Sequence, residues 1–258
     1  MIKKFTYLTL LTTIIFLGIS CEETITLTKP SVTAQIEPNG GAVKFTWTAV
    51  EGAQGYHVYR DTVKISISGL TYTETIPAKV IKITAYKGNT ESEAYIYDCT
   101  PVITDNVEVY FMSDPNPAHP SGFGFKANGQ AQAFSVTTNA NDVDYTVEDR
   151  YERTTKFFSP NAYTPAINPK KNMTNDPSIS QNFDNLNMAL APGSYITQRE
   201  IAVDGVYALF MDRDNDGWDT SSDYFAKVWV KNIDQANLKV TLKCAFQPRS
   251  GLRWLVTK

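Results

Sequence analysis

Hydrophobic and polar residues alternate in short runs along almost the whole chain from residue 28 onward. In the first third, the runs are AVKFTWTAV, GYHVYRD, TYTETI and KVIKITAYKG, rich in β-branched and aromatic residues and separated by Gly, Asn or Pro. Runs with a period of two that are bounded by such residues predict β-strands. A spacing of about ten residues between strands is typical of a β-sandwich. Only the stretch DNLNMALA at 184–191 predicts a short helix.

Residues 28–100 carry a more specific pattern. Trp47 lies in the first of these runs, Tyr56 and Val58 lie in the motif A-x-G-Y-x-V-Y-R, and ITAY occupies 83–86. This stretch resembles a fibronectin type III domain of the bacterial kind. The resemblance implies a sandwich in which Trp47 fills the core while Tyr56 and Val58 point inward. It implies no function, because one fold serves many functions.

Residues 105–258 form a second region, after a junction at DCTPVITD. Its strand candidates are NVEVYF, FGFKA, AFSVTT, VDYTVED, VYALFM, FAKVWV, LKVTLKCAF and LRWLV. Seven or eight strands in this length predict a second β-sandwich or jelly roll, so the expected fold class is all-β. The stretch 159–194 contains seven Asn and five Pro, and it is either a functional loop or a strand-poor insertion.

The first residues, MIKKFTYLTLLTTIIFLGISC, have the form of a secretory signal peptide over 1–20. The apolar run is shorter than the roughly 20 residues that span a bilayer. Ser20 before Cys21, with two acidic residues after it, resembles a bacterial lipoprotein signal. That resemblance implies acylation of Cys21, a linker over 21–27, and anchoring in the cell envelope at the outer membrane or cell surface. The alternative is an ordinary signal peptide with an incidental cysteine.

Charge and cysteine content narrow the class of protein further. Removal of 1–20 leaves 22 basic and 27 acidic residues, without a basic run of five, so we expect no nucleic-acid partner. Cys99 and Cys244 remain after acylation of Cys21. An exported chain permits a disulfide between them, and two buried thiols are the alternative.

The stretch MDRDNDGWDTSSD at 211–223 is the clearest candidate site. Counted from Asp212, oxygen donors fall at positions one, three, five and twelve, glycine stands at position six, and position seven offers a backbone carbonyl. This is the pattern of a twelve-residue calcium loop, with Asp in place of the usual Glu at position twelve. The predicted calcium ligands are Asp212, Asp214, Asp216, the carbonyl of Trp218, and Asp223. The alternative is a solvated turn, which such residues also favour.

Sequence motifs give little support to an enzyme. His57 and His119 are the only histidines, and the common nucleophile and zinc-protease motifs are absent from the sequence. A glycosidase needs only two carboxylates, and Glu148, Asp149 and Glu152 are the candidates, with a charged strand end as the alternative. We therefore expect a lipid-anchored module that binds a glycan or protein partner, with a carboxylate-based secreted hydrolase as the alternative.

Aromatic residues support the binding expectation. The chain contains 14 Tyr, 13 Phe and 4 Trp, and sugar-binding sites stack sugar rings on such side chains. Trp218, within the aspartate loop, is a candidate for ligand contact if it is exposed. The alternative is an indole ring folded back onto the edge of the sandwich.

Overall fold

The computed structural model describes residues 26–150, 154–174 and 182–258. Within these ranges all strand pairs are antiparallel and the only helices are two one-turn 3-10 helices, so the all-β fold class is confirmed. The same ranges contain no helix long and apolar enough to cross a membrane. The predicted signal peptide, Cys21 and Glu152 lie outside the described residues.

The first sandwich pairs two sheets around one core. A three-stranded sheet has the order β1-β2-β5, and the second sheet has the order β4-β3-β6-β7, with β8 also paired to β6. Trp47, Tyr56 and Val58 are buried in the core between these sheets, as the sequence predicted. The strands are β1 (Val32–Ile36), β2 (Val43–Trp47), β3 (Gly55–Arg60), β4 (Val63–Ile67), β5 (Thr71–Glu74), β6 (Val80–Lys87), β7 (Thr90–Glu91) and β8 (Tyr95–Asp98).

The second sandwich consists of two five-stranded sheets. Their orders are β11-β10-β12-β13-β15 and β14-β16-β17-β18-β9. Side chains from both sheets form one apolar cluster between them. The strands are β9 (Val102–Tyr110), β10 (Gly122–Phe125), β11 (Ala131–Phe134), β12 (Tyr145–Glu148), β13 (Lys156–Phe158), β14 (Lys171–Thr174), β15 (Gln198–Glu200), β16 (Val206–Asp212), β17 (Tyr224–Asp234) and β18 (Lys239–Phe246).

Strand β16, in the second of these sheets, is buried on both faces. All seven residues of β16 are buried: Tyr207 and Leu209 face the sandwich core, while Ala208 and Phe210 face an outer cluster. This alternation follows from the two-residue period of a strand. Chain from the stretch 182–195 contributes to the outer cluster, so this part of the predicted loop packs over the sheet.

The prediction of a helix at 184–191 is wrong, because this stretch is a turn followed by extended chain. Asn182 and Asn185 close a turn, in which the Asn182 side chain accepts a hydrogen bond from the Asn185 N–H. Beyond it the chain is extended: Ala189 donates its N–H to the Arg253 carbonyl, and Leu255 donates to the Asn187 carbonyl. Pairing with a distant segment therefore overrides the weak local preference for helix.

A buried lysine lies beneath this covering segment. Lys227 on β17 has no exposed surface, and its Nζ donates to the Leu186 carbonyl at 3.1 Å and the Thr257 hydroxyl at 2.9 Å. The ammonium also lies 4.6 Å from the centre of the Phe183 ring. Burial lowers the pKa of Lys227 to about 8, against an opposing effect of Asp184.

The C-terminal tail joins the two sandwiches. After β18 the chain returns to the first sandwich, where Leu252 and Trp254 are fully buried in its core. The Trp254 indole donates to the Gly41 carbonyl at 3.0 Å. The region LRWLV, predicted as a strand, makes only one isolated bridge within the described chain, between Met188 and Trp254. Leu27, assigned to the linker, also packs in the first core.

Cys99 and Cys244 are free thiols and do not form a disulfide with each other. Both are buried and unpaired, and they belong to the cores of different sandwiches. Burial raises the pKa of the Cys99 thiol to about 12 and that of the Cys244 thiol well above its usual range.

Candidate metal centre

The aspartate loop closes a β-hairpin of the second sandwich. β16 ends at Asp212 and β17 begins at Tyr224, and the last residue pair before the loop is Met211 with Tyr224. The loop 212–223 is therefore held at both ends by a ladder of buried strands. Like charges in this loop have little freedom to move apart at its base.

Three carboxylates converge in this loop. One oxygen each from Asp212, Asp214 and Asp216 lies within 4.8 Å of the others. The turn that brings them together uses left-handed backbone conformations, with φ of 63° at Asn215 and 106° at Gly217. Asparagine and glycine adopt such conformations at low cost, which explains their places at positions four and six.

Two carboxylates at the base of the loop are buried and incompletely hydrogen-bonded. Asp212 is 1% exposed and Asp223 is 0% exposed, and Oδ1 of each has no hydrogen-bond partner among the described residues. The other oxygen of Asp223 accepts the Asp219 N–H at 2.8 Å. A buried acceptor without a partner costs on the order of 1–3 kcal/mol, more when charged. These two oxygens are therefore places where a cation would restore lost interactions.

The electrostatics of the loop favour the entry of positive charge. Burial raises the pKa of Asp223 to about 7, and the neighbouring charge of Asp212 adds to this effect. Burial also raises the pKa of Asp212, against hydrogen bonds from the Asn215 and Gly217 N–H groups. A hydrogen bond with Asp214 raises the pKa of Asp216. Each effect arises because the ionised form is poorly solvated or faces another carboxylate.

Trp218 is folded back, the second of the two alternatives. Its ring centre lies 5.8 Å from that of Phe210 and 5.3 Å from that of Phe225, on the outer face of the sheet. Its Nε1 donates to the Pro38 carbonyl in the first sandwich at 2.8 Å. The side chain is half-buried and serves as a contact between the sandwiches, which leaves less of its ring for a ligand.

Asp219, the one aspartate of the loop that is not a predicted calcium ligand, has a local role. Its carboxylate accepts hydrogen bonds from the backbone N–H and the hydroxyl groups of both Ser221 and Ser222. The Ser222 backbone N–H and these further bonds lower the pKa of Asp219 to about 2. This carboxylate stabilises the turn before Asp223 and needs no cation to be satisfied.

The carboxylates considered for hydrolysis are held by internal hydrogen bonds. Glu148 is fully buried, pairs with Arg150 at 2.7 Å and accepts the Tyr163 hydroxyl at 2.9 Å. Burial works to raise its pKa, but these bonds dominate and lower it, whereas a glycosidase acid needs a raised pKa. Asp149 accepts both the N–H and the hydroxyl of Ser113.

Both histidines are likewise packed into local networks. His57 stacks on Tyr86 with ring centres 4.0 Å apart, and its Nδ1 lies 2.9 Å from Glu91. Glu91 also accepts hydrogen bonds from Lys64 and Thr84. Burial opposes their effect, but the bonds dominate and lower the pKa of Glu91 to about 2.

His119 stacks on Tyr110, with ring centres 3.7 Å apart. Its Nδ1 lies 2.8 Å from Asp114. The Asn116 amide nitrogen lies 3.1 Å from its Nε2. Both ring nitrogens are therefore engaged within one short loop.

Sequence reasoning passed over Arg213 and Asp144. Neighbouring residues at a strand end point to opposite sides, so the Arg213 side chain points away from that of Asp212 and toward the other sheet. There its Nη2 lies 3.4 Å from the Asp144 carboxylate. Its guanidinium also lies 5.0 Å from the ring centre of Tyr224. The available signal was Asp144 itself, an acidic residue flanked by apolar Val143 and Tyr145.

Comparison with known proteins does not identify a function for this chain, so the functional proposal depends on the geometry of the site. No family model matches the chain, and no curated protein matches it. Among solved structures, a DUF4466 family protein from Parabacteroides merdae is similar at 11% identity and a TM-score of 0.39, covering 86% of this chain and 99% of that chain. A likeness at this level decides neither fold nor function.

Proposed function

We propose that this protein is an exported, lipid-anchored binding module whose second sandwich is stabilised by a calcium ion in the loop 212–223. One observation carries the metal proposal: Asp212 and Asp223 are buried with an unpartnered oxygen each, at the base of a loop in which Asp214 and Asp216 also converge. Buried charge of this kind is stable when it is paired or coordinates a metal.

The donor set suits calcium. Calcium is a hard cation that takes six to eight oxygen ligands, from carboxylates, backbone carbonyls and water. Asp212, Asp214 and Asp216 supply the converging carboxylates, and Asp223 and the Trp218 carbonyl are the further proposed ligands. Asp223 lies outside the group of three whose oxygens are within 4.8 Å of one another, so its carboxylate would complete the site from the far end of the loop.

The ion's role would be structural. The loop carries Trp218, whose indole packs on Phe210 and donates to the Pro38 carbonyl of the first sandwich. A cation that orders the loop would also hold this contact between the sandwiches. Thus calcium would contribute both to the second sandwich and to its placement against the first.

Thermal melting with calcium and with chelator tests this proposal. An ion that binds only the folded state stabilises it by about 2.7 kcal/mol at a hundredfold excess over its dissociation constant. We expect the melting temperature to rise in millimolar calcium and to fall in chelator, and Asp214→Ala to abolish the difference. Glu51→Ala removes an equal charge from an exposed position of the first sandwich and should retain it. Identical melting in calcium and chelator would refute the metal site.

The lipid anchor is tested separately. Each buried methylene of an acyl chain contributes about 0.8 kcal/mol, so two or more chains on Cys21 would hold the body at a membrane. We expect the mature protein to begin at Cys21 and to partition into the detergent phase, and Cys21→Ser to release or mislocalise it. Normal processing and membrane retention of Cys21→Ser would contradict this part of the proposal.

A further inference from the structure

A cleft opens on the second sandwich beside the aspartate loop. It lies between the β10–β11 hairpin, the 3-10 helix at Ala140–Asp142 and the start of the loop, and it has a volume of about 430 Å³. This is within the range of about 300–1,000 Å³ that is typical of small-molecule sites. The residues that define its chemistry are Lys126, Phe134, Asp142, Lys170 and Arg213.

Positive charge predominates in this cleft, although the chain as a whole carries a formal charge of −3. Three cationic side chains line it, against the one carboxylate of Asp142. Lys170 and Arg213 share a single buried partner, Asp144, at 3.2 and 3.4 Å. One carboxylate neutralises only one of the two, so an excess of positive charge faces the opening.

Donors remain available at the cleft. Both hydrogen bonds that Arg213 makes among the described residues are donated by Nη2, and Nε is buried, so Nη1 is the guanidinium nitrogen that remains available to a ligand. Lys126 is exposed and has no ion pair within the same part of the chain. Phe134 is half-buried in the wall and offers an apolar ring surface.

We propose that this cleft binds an acidic sugar unit of a glycan, with its carboxylate or sulfate held by Lys126 and Arg213 and its ring against Phe134. Arginine and lysine make strong charge-assisted hydrogen bonds to such anions, and aromatic rings pack against the apolar faces of sugars. The inference rests on the proposed role as a binding module and names the ligand class of that module.

The cleft is coupled to the aspartate loop through the chain itself. Arg213 lies between Asp212 and Asp214, two of the proposed calcium ligands, and its side chain points away from them toward the cleft. Order imposed on the loop by calcium therefore fixes the guanidinium. Chelation should weaken sugar binding even though no calcium ligand lines the cleft.

Isothermal titration calorimetry on the mature chain with calcium tests the inference. The probes are oligogalacturonate for carboxylates, a chondroitin sulfate oligosaccharide for sulfates, a neutral galactan oligosaccharide, and poly-L-glutamate as an acidic peptide. We expect one or both acidic sugars to bind and the neutral sugar not to bind. Lys126→Glu should weaken binding by about tenfold or more, because it replaces a charge-assisted hydrogen bond with repulsion.

Lys82→Glu is the matched control, since Lys82 is an exposed lysine on β6 of the first sandwich. It changes the net charge equally and should alter affinity by less than about twofold, as expected for a remote surface charge. Circular dichroism melting of both variants confirms that they are folded.

Three results would overturn the inference: no acidic sugar binds, poly-L-glutamate binds better than the sugars, or both lysine variants weaken binding equally. The calcium-dependent melting shift is measured independently. A chain that keeps this shift without binding acidic sugars refutes the ligand class alone. Loss of the shift refutes the metal site instead.

Discussion

Removal of the Trp254 indole should destabilise the first sandwich, although this residue lies more than 150 positions beyond its last strand, which ends at Asp98. Trp254 has no exposed surface and packs in the core that contains Trp47 and Tyr56. Its Nε1 donates to the Gly41 carbonyl, and its own carbonyl accepts the Gln247 amide. The tail thus completes a core built by the opposite end of the chain.

The expected magnitude follows from these contacts. Truncation of a buried tryptophan to alanine costs about 3–5 kcal/mol, and a buried carbonyl left without its donor adds about 1 kcal/mol or more. Because a typical domain is stable by only about 5–15 kcal/mol, Trp254→Ala should leave the protein marginally stable. Trp254→Phe keeps an aromatic ring but removes the indole N–H, and we expect it to cost about 1–3 kcal/mol.

Equilibrium urea denaturation, followed by circular dichroism at fixed calcium concentration, measures both variants. Trp229→Phe is the matched control, because Trp229 is half-buried and donates to the carboxylate of exposed Asp204 at 3.3 Å. This change should fall within about 0.5 kcal/mol of wild type. A Trp254→Phe protein no less stable than the Trp229→Phe protein would show that the tail does not hold the first core.

The remaining predictions concern pH, thiols and a fragment. Burial lowers the pKa of Lys227 to about 8 from 10.5. Between these pH values the unfolded chain binds more protons than the folded chain, so the free energy of unfolding should rise with pH. Lys227→Met should abolish this component of the rise. The pKa of Glu91 is lowered to about 2 from 4.5, so its contribution to stability is lost as pH falls from 4.5 toward 2, and a Glu91→Gln protein should lack this loss in acid denaturation curves. Cys99 and Cys244 should react with a thiol reagent only after denaturation, and a reductant should leave the melting temperature unchanged. Residues 104–258 alone should unfold cooperatively with a β-type circular dichroism spectrum, and should bind a hydrophobic dye through the uncovered tail; a helical spectrum or absent dye binding contradicts this.

The strands that pattern alone predicted are those buried on at least one face. VYALFM and FAKVWV became β16 and β17, because continuous apolar runs signal strands covered on both sides. In the second sandwich the strands it missed, β13, β14 and β15, have three or four residues each and include KNMT and QRE. Two of them lie at sheet edges, where one side of the strand has no partner and few side chains need burial. Such strands form through hydrogen bonds to neighbouring strands, and their own sequences show little alternation of apolar and polar residues.

The candidate site likewise has features that the local sequence predicts and features that depend on distant residues. The spacing of Asp212, Asp214 and Asp216 was readable, because a tight loop brings alternate residues together, and the structure places their oxygens near one another. The burial of Asp223 and the contact of Trp218 with Pro38 depend on chain segments far away in sequence. The basic cleft depends on Asp144, whose two cationic partners come from different strand ends. Long-range partners of this kind are not encoded in any short window of sequence.

The position of Trp254 also sets an order of events during synthesis. The strands of the first sandwich leave the ribosome as a complete set once residue 98 has emerged, yet its core still lacks Leu252 and Trp254. At roughly 5–20 residues per second, the intervening chain takes about 8–30 seconds to be made. During that interval the oldest part of the protein has an open apolar slot. A chain that stops before residue 254 never fills this slot. A truncated product therefore exposes apolar core surface in its N-terminal sandwich.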